Sequence, residues 1–225
     1  LMAEQKLLSN INYLKSENNL NKPVDLEYAK QVAVTKTLED DQKDVFDYVL
    51  SNDSNIKSII GFAGSGKSHT IGALVDVYKQ SGYDVRGLAL SGIVVENLST
   101  DCNISDATTI HRFLYMYDKK LVTLNQKSVV FIDEGSMVGT ADYARLTTLI
   151  AQHGGKLVNI NDSQQLQAIS AGNANRMILE NSSYLSLETI RRQKDEGDRL
   201  ATKNLSTGEH REGLNNYKNK EAIIE

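Results

Sequence analysis

A glycine-rich segment at residues 61–68, Gly-Phe-Ala-Gly-Ser-Gly-Lys-Ser, restricts the fold of this chain more than any other feature. It matches the phosphate-binding pattern Gly-x-x-x-x-Gly-Lys-Ser. The apolar run before it, at residues 56–60, predicts a buried strand, and residues 71–78 after it predict a helix. A glycine-rich loop between a strand and a helix N-terminus is suited to binding phosphate groups. The segment therefore predicts an α/β domain that binds a nucleotide.

The residue types within this loop suit that role. Gly64 and Gly66 allow backbone conformations that a Cβ atom would block, so that successive N–H groups can point toward an anion. Lys67 adds a positive charge for the β- and γ-phosphates, and Ser68 offers a hydroxyl to Mg²⁺. We therefore predict ATP and Mg²⁺ as cofactors. The predicted nucleotide-binding residues of the loop are Gly61, Ala63, Gly64, Ser65, Gly66, Lys67, Ser68 and His69.

A second segment supports the same chemistry. Residues 128–132 form an apolar run that predicts a strand, and Asp133 and Glu134 follow it directly. The carboxyl edge of a parallel sheet is where ligands bind in open α/β folds. We predict that Asp133 binds Mg²⁺, directly or through water, and that Glu134 polarises the water that attacks the γ-phosphate.

The remaining pattern predicts alternating strands and helices. Further strands are predicted at residues 85–90, 156–161 and 184–193, and a helix is predicted to begin within residues 108–115. Residues 3–16 and 24–34 have apolar residues at helical spacing and predict an N-terminal helical segment. Parallel strands that alternate with helices give a doubly wound, mainly parallel sheet. The predicted fold class is therefore an α/β P-loop NTPase of RecA-like type.

Composition restricts the partners and the compartment. The net charge of −4 means that any nucleic-acid contact must use a local basic surface. His111 and Arg112 are candidates for such a surface, whereas the aromatic residues beside them are expected to pack in the core. A single cysteine, Cys102, fits a reducing cytoplasm, and we expect it to be a small side chain without a functional role. No apolar run is long enough to span a membrane.

Several motifs in order resemble those of superfamily 1 DNA helicases of the RecD-like branch. Within that branch, they resemble the helicase part of TraA-type conjugative relaxases. The matching segments are Gln42, residues 61–68, residues 89–92, residues 109–111, residues 133–139, Asp162 with residues 165–169, and residues 188–193. The resemblance covers nearly the whole chain.

The resemblance implies further roles. Gln42 would recognise the adenine edge, for which a side-chain amide is suited because it both donates and accepts. Gln165 would couple the γ-phosphate to movement, and Arg192 would contact the γ-phosphate. With Lys67 and Glu134, these two residues complete the predicted catalytic set. Ser91 would lie on the DNA side, near His111 and Arg112.

Two residues depart from the family pattern, because Asn161 replaces the usual glycine before Asp162, and Gly135 follows Glu134. The predicted organisation is an accessory segment at residues 1–36, a RecA-like ATPase domain at residues 37–195, and the helical start of a further region at residues 196–225. The expected partners are single-stranded plasmid DNA and the relaxase and second motor domains of a longer protein. We expect this chain alone to hydrolyse ATP poorly, because the second domain completes the site.

Two alternatives remain open at this point. The chain is either the first motor domain of a conjugative helicase or a truncated or decayed module that binds nucleotide without motor activity. A GTPase is disfavoured, because the base-recognition motif Asn-Lys-x-Asp is not found after the phosphate loop, and no acceptor-binding lid of a small-molecule kinase is recognisable.

Overall fold

The computed structural model describes residues 2–16, 23–163 and 173–189. The helices are α1 (Met2–Lys15), α2 (Leu26–Thr35), α3 (Asp40–Leu50), α4 (Lys67–Gln80), α5 (Gly92–Thr100), α6 (Ile110–Asp118), α7 (Thr140–His153) and α8 (Asn173–Asn181). The strands are β1 (Ile56–Gly61), β2 (Asp84–Ala89), β3 (Asp106–Thr109), β4 (Ser128–Ile132), β5 (Lys156–Asp162) and β6 (Tyr184–Leu187).

The strands form one six-stranded sheet in the order β3-β2-β4-β5-β1-β6. Every neighbouring pair is parallel. The predicted α/β class and doubly wound parallel sheet are therefore confirmed. The strand order places β5 between β1 and β4, so the ends of these three strands lie side by side at the carboxyl edge.

The inner strands are buried on both faces, because helices cover both sides of the sheet. On one face, Phe131 and Ile160 join a core with α2, α3, α4 and α5. On the other face, Ile132 and Leu157 join a core with α1, α6, α7 and α8. This two-sided burial explains why these strands read as continuous apolar runs rather than as alternating patterns.

Helix α1 packs on the second face of the sheet. Leu7, Ile11 and Leu14 recur at helical spacing, and all three are fully buried. Asn10 lies among them and donates hydrogen bonds to the Ala144 carbonyl at 3.2 Å and to Thr148 Oγ1 at 2.8 Å, both on α7. Because its polar group is satisfied, Asn10 is accommodated within this apolar contact.

The prediction for residues 108–115 was wrong in one respect. The structure places Thr108 and Thr109 in β3, and α6 begins at Ile110 with Thr109 as its N-cap. Strand β3 is only four residues long and half-buried, because it lies at the edge of the sheet, and so it has no apolar run by which to recognise it. The predicted strand at residues 184–193 ends at Leu187 within the described residues. None of the helices that the structure describes is long and apolar enough to cross a lipid bilayer.

Candidate nucleotide site

The predicted phosphate loop connects the end of β1 to the start of α4. Gly64 has a φ of 80° and Gly66 has a φ of 86°, in the left-handed region that favours glycine. Gly66 is also the N-cap of α4. The loop therefore adopts its turn through the two glycines that the sequence pattern singled out. An open cavity of about 500 Å³ lies against it and is lined by Phe62, Ala63, Gly64, Gly66, Lys67, Ser68 and His69.

The loop closes tightly on the end of β1. A Cβ atom at Gly61 would lie 2.8 Å from Lys67 Cγ and 2.9 Å from Ser65 Oγ, so only glycine fits there. Lys67 Nζ donates to the Gly61 carbonyl at 2.7 Å and to the Phe62 carbonyl at 3.2 Å, and it forms an ion pair with Asp162 Oδ2 at 3.3 Å. The lysine charge is therefore directed along the carboxyl edge of the sheet.

Asp133 lies at the same edge, close to Lys67 and Asp162. Burial raises the pKa of the Asp133 carboxyl, and the negative charge of Asp162 adds to this rise. The N–H of Glu134, which donates to Asp133 Oδ1 at 2.8 Å, and the charge of Lys67 oppose it. A bound divalent cation would favour the ionised carboxylate and reverse the effect of burial. The structure thus brings the predicted lysine and the predicted metal-binding acid together.

Glu134 follows in an unusual backbone conformation. Its φ of 53° and ψ of 40° are left-handed, which is uncommon for a residue with a side chain. A short 3-10 turn, Gly135–Met137, follows it. Glu134 is therefore placed at the carboxyl edge by a sharp turn directly after β4.

The sequence prediction missed the place of Cys102 in this site. Cys102 is buried, and its thiol lies close enough to the Ser68 side chain for that side chain to lower the pKa of the thiol. Burial, together with the negative charges of Asp133 and Asp101, raises the pKa of the thiol to about 12. The sequence predicted only a small side chain without a functional role, whereas the structure places this side chain beside the predicted metal-binding serine. No local pattern in the sequence indicates that contact.

Gln42 contacts the phosphate loop, and His69 contacts the residues that follow α2. Gln42 Nε2 donates to the Gly66 carbonyl at 3.4 Å, and its Oε1 accepts from the Glu39 N–H at 3.1 Å. The side chain is buried, and each amide atom already has one hydrogen-bond partner within the protein. His69 Nε2 lies 2.7 Å from the Lys36 carbonyl, which ties the start of α4 to the residues after α2.

The three residues predicted on the DNA side are all exposed and follow β2 and β3. Ser91 is the N-cap of α5 and accepts from the Val94 N–H at 3.4 Å. His111 Nε2 lies 3.5 Å from Asp142 Oδ2, and Arg112 is the next residue on α6. Because β2 and β3 are parallel to β1, these residues lie at the same edge of the sheet as the phosphate loop. Gln165 and Arg192 lie outside the described residues.

The residues present fit a nucleotide with Mg²⁺. The loop has left-handed glycines, a close approach at Gly61 and a lysine at the N-terminus of α4, and these features suit the binding of a phosphate group. Within the described ranges, no group of three or more His, Cys, Asp or Glu residues could hold a metal ion. Mg²⁺ is usually bound by one or two protein ligands together with water and substrate phosphates. Ser68 and Asp133 are the protein groups that would hold it.

This chain is similar to proteins of conjugal transfer. The conjugal transfer protein TraA of Rhizobium radiobacter is 32% identical over 181 residues, which is 80% of this chain and 16% of that protein. TraA of Agrobacterium fabrum is 30% identical over 187 residues, 83% of this chain and 17% of that protein. The multifunctional conjugation protein TraI of Escherichia coli K12 is 40% identical over 76 residues, 32% of this chain and 4% of that protein.

The chain therefore spans about a sixth of the length of these TraA relatives. The resemblance to TraA-type proteins that the motifs predict is confirmed. A family model described as an AAA domain matches residues 37–225. Because this match covers most of the sequence and includes the phosphate loop, the chain belongs to the AAA domain family, a P-loop nucleotide-binding family.

Proposed function

We propose that this chain is the ATP-binding first motor domain of a DNA helicase that acts in conjugal transfer. In the longer protein, this domain would couple ATP hydrolysis to translocation along single-stranded DNA. The observation that supports the proposal best is the meeting of Lys67, Asp162 and Asp133 at one edge of the sheet, beside the glycine loop. The similarity to TraA and TraI proteins points to plasmid DNA as the polymer on which it acts.

In this proposal each residue has a distinct task. The loop glycines and Lys67 bind the phosphates, Ser68 and Asp133 bind Mg²⁺, and Glu134 accepts a proton from the attacking water. Bound Mg²⁺ would neutralise charge on the β- and γ-phosphates. Gln165 and Arg192 would respond to the γ-phosphate.

The DNA would cross the exposed residues that follow β2 and β3. Ser91, His111 and Arg112 would contact its backbone, so the loss of Arg112 should weaken binding of all sequences alike and reduce its salt dependence. Residues 37–195 would form the motor, with residues 1–36 as its accessory segment and residues 196–225 leading to the next domain. The relaxase and the second motor domain would be its partners in the cytoplasm.

Steady-state ATP hydrolysis, with and without single-stranded DNA, tests this function. We expect the longer protein that contains this chain to hydrolyse ATP faster when DNA is present, and Lys67→Ala to reduce the rate at least about a hundredfold. Residues 1–225 alone should bind ATP–Mg²⁺ more tightly than GTP–Mg²⁺ but hydrolyse it slowly. Equal rates for wild type and Lys67→Ala would refute the motor assignment.

A nucleotide-binding module without motor activity is the second candidate. The observation that favours it is Asn161, which occupies the position where the resembled helicases have glycine and is fully buried in β5. Under this alternative, the longer protein would bind ATP tightly, and DNA would not change its hydrolysis rate. Asn161→Gly, which restores the glycine, would then make the hydrolysis rate increase with DNA. Under the motor assignment, Asn161→Gly would not increase the stimulation by DNA.

A further inference from the structure

The turn that follows Asp133 packs directly against a buried hydrogen bond. Tyr143 Oη donates to Asn159 Oδ1 at 2.6 Å. A Cβ atom at Gly135 would lie 2.0 Å from Asn159 Oδ1 and 2.3 Å from Tyr143 Oη. Gly135 itself is buried. The backbone of the turn therefore rests on these two polar side chains with no space for a methyl group.

The same asparagine connects three elements of the fold. Asn159 lies on β5, accepts from Tyr143 on α7, and donates through Nδ2 to Asn175 Oδ1 on α8 at 2.9 Å. All three side chains are fully buried. Because a buried polar group that loses its partner is costly, each bond restricts the orientation of the next side chain. This hydrogen-bonded network lies beneath the turn.

The backbone of the turn has a conformation that the surrounding structure must hold in place. Glu134 is left-handed, and such conformations persist where the surrounding structure holds them. Within the turn, the Met137 N–H donates to the Glu134 carbonyl at 3.0 Å, and the Val138 N–H donates to the Gly135 carbonyl at 3.1 Å. These bonds lie within the turn. The contact of Gly135 with Tyr143 and Asn159 connects the turn to α7 and β5.

We propose that Tyr143 and Asn159 are positioning residues that hold the Glu134 carboxylate in place for its reaction. This inference rests on the proposed role of Glu134 in ATP hydrolysis. The two side chains lie against the backbone of Gly135, and through it they act on the neighbouring Glu134. A displacement of about 1 Å at a reacting group can cost about a hundredfold in rate, so a small shift of the turn is sufficient to reduce hydrolysis.

Two matched variants test the proposal in the longer protein that contains this chain. Tyr143→Phe removes the hydroxyl under the turn and keeps the ring. Tyr78→Phe is the control, because Tyr78 is equally buried and its hydroxyl donates one hydrogen bond, to the Val49 carbonyl at 3.0 Å, at the opposite end of the sheet. Both variants lose one buried hydrogen bond and should lower the melting temperature by similar amounts.

We expect Tyr143→Phe to lower kcat about tenfold while KM for ATP–Mg²⁺ changes less than about twofold. Tyr78→Phe should leave both constants close to wild type. Hydrogen exchange of the Met137 and Val138 amides should be about tenfold faster in Tyr143→Phe and unchanged in Tyr78→Phe. Gly135→Ala, which crowds the same bond, should reproduce the kcat effect.

The hydrolysis rates and the exchange rates together distinguish failure of this inference from failure of the proposed function. If wild type and Lys67→Ala hydrolyse ATP equally, the proposed function fails, and the exchange rates alone decide whether Tyr143 holds the turn. If exchange in the turn is the same in both tyrosine variants, the positioning role is refuted whatever the hydrolysis rates are. An equal loss of kcat in the two variants would also refute it, because the effect would then be one of stability.

Discussion

Lys156 is buried at the amino-terminal end of β5, and its charge should make the stability of the protein depend on pH. The residue is 3% exposed, and its Nζ donates to the Val49 carbonyl at 2.6 Å and to the Ser51 carbonyl at 3.1 Å. Burial lowers the pKa of Lys156 from 10.5 to about 7. The positive charge of Lys57 adds to this effect, and Asp53 opposes it.

The direction of the pH dependence follows from the two pKa values. In the unfolded chain the lysine keeps its proton up to a pH of about 10.5, whereas the folded protein releases it at about 7. Between these values the unfolded state binds more protons, so the free energy of unfolding rises with pH. Well inside this window, the free energy of unfolding rises by about 1.4 kcal/mol for each pH unit. Between pH 7.5 and pH 9.5, the lysine should therefore increase the free energy of unfolding by about 2.5 kcal/mol.

The test compares wild type with Lys156→Met in urea unfolding followed by circular dichroism. Methionine keeps most of the side-chain volume and has no proton to exchange. The free energy of wild type relative to Lys156→Met should rise by about 2.5 kcal/mol between pH 7.5 and pH 9.5. Lys6→Met is the matched control, because it removes an exposed amine instead of a buried one. A flat difference between wild type and Lys156→Met would refute the reasoning that burial keeps this amine neutral.

Three further predictions concern the loop, the cysteine and α1. Gly66→Ala should destabilise the protein by about 1–2 kcal/mol in denaturant unfolding, because alanine is strained at a φ of 86°. A loss of stability below a few tenths of a kcal/mol would contradict the loop geometry. Cys102 should react with iodoacetamide at pH 8 at least about a hundredfold more slowly in the folded protein than in guanidinium, because burial raises the thiol pKa to about 12. Mass spectrometry follows the labelling, and rapid labelling of the folded protein would show that the thiol is accessible. Ile11→Ala should cost about 2–5 kcal/mol by the same unfolding assay, since Ile11 is fully buried; a neutral effect would mean that α1 does not pack on α7.

The phosphate loop and the end of β4 could be predicted because each is fixed by neighbouring residues in the chain. A glycine is required where φ is positive, as at Gly64 and Gly66, and an apolar run is required where a strand is buried on both faces. These requirements appear in the sequence as short patterns. The prediction of the parallel α/β class followed from the same patterns.

The parts that could not be predicted depend on residues that are distant in the sequence. The contact between Ser68 and Cys102 depends on how the chain after α5 returns to the phosphate loop, and no spacing of residue types encodes it. The Tyr143–Asn159 bond joins a helix to a strand across the second face of the sheet. Strand β3 was missed because its four residues are only half-buried and so carry no apolar run.

Strand order is the property that connects these parts into a site. The motifs of β1 and β4 predict a lysine and an acid, but only the insertion of β5 between them brings Asp162 to a position where it affects both. Asp162 pairs with Lys67 at 3.3 Å and contributes to the raised pKa of Asp133. A phosphate group is also an anionic acceptor and would compete with Asp162 for Lys67. Nucleotide binding should therefore release Asp162 from the lysine, and bound Mg²⁺ would favour the ionised form of Asp133.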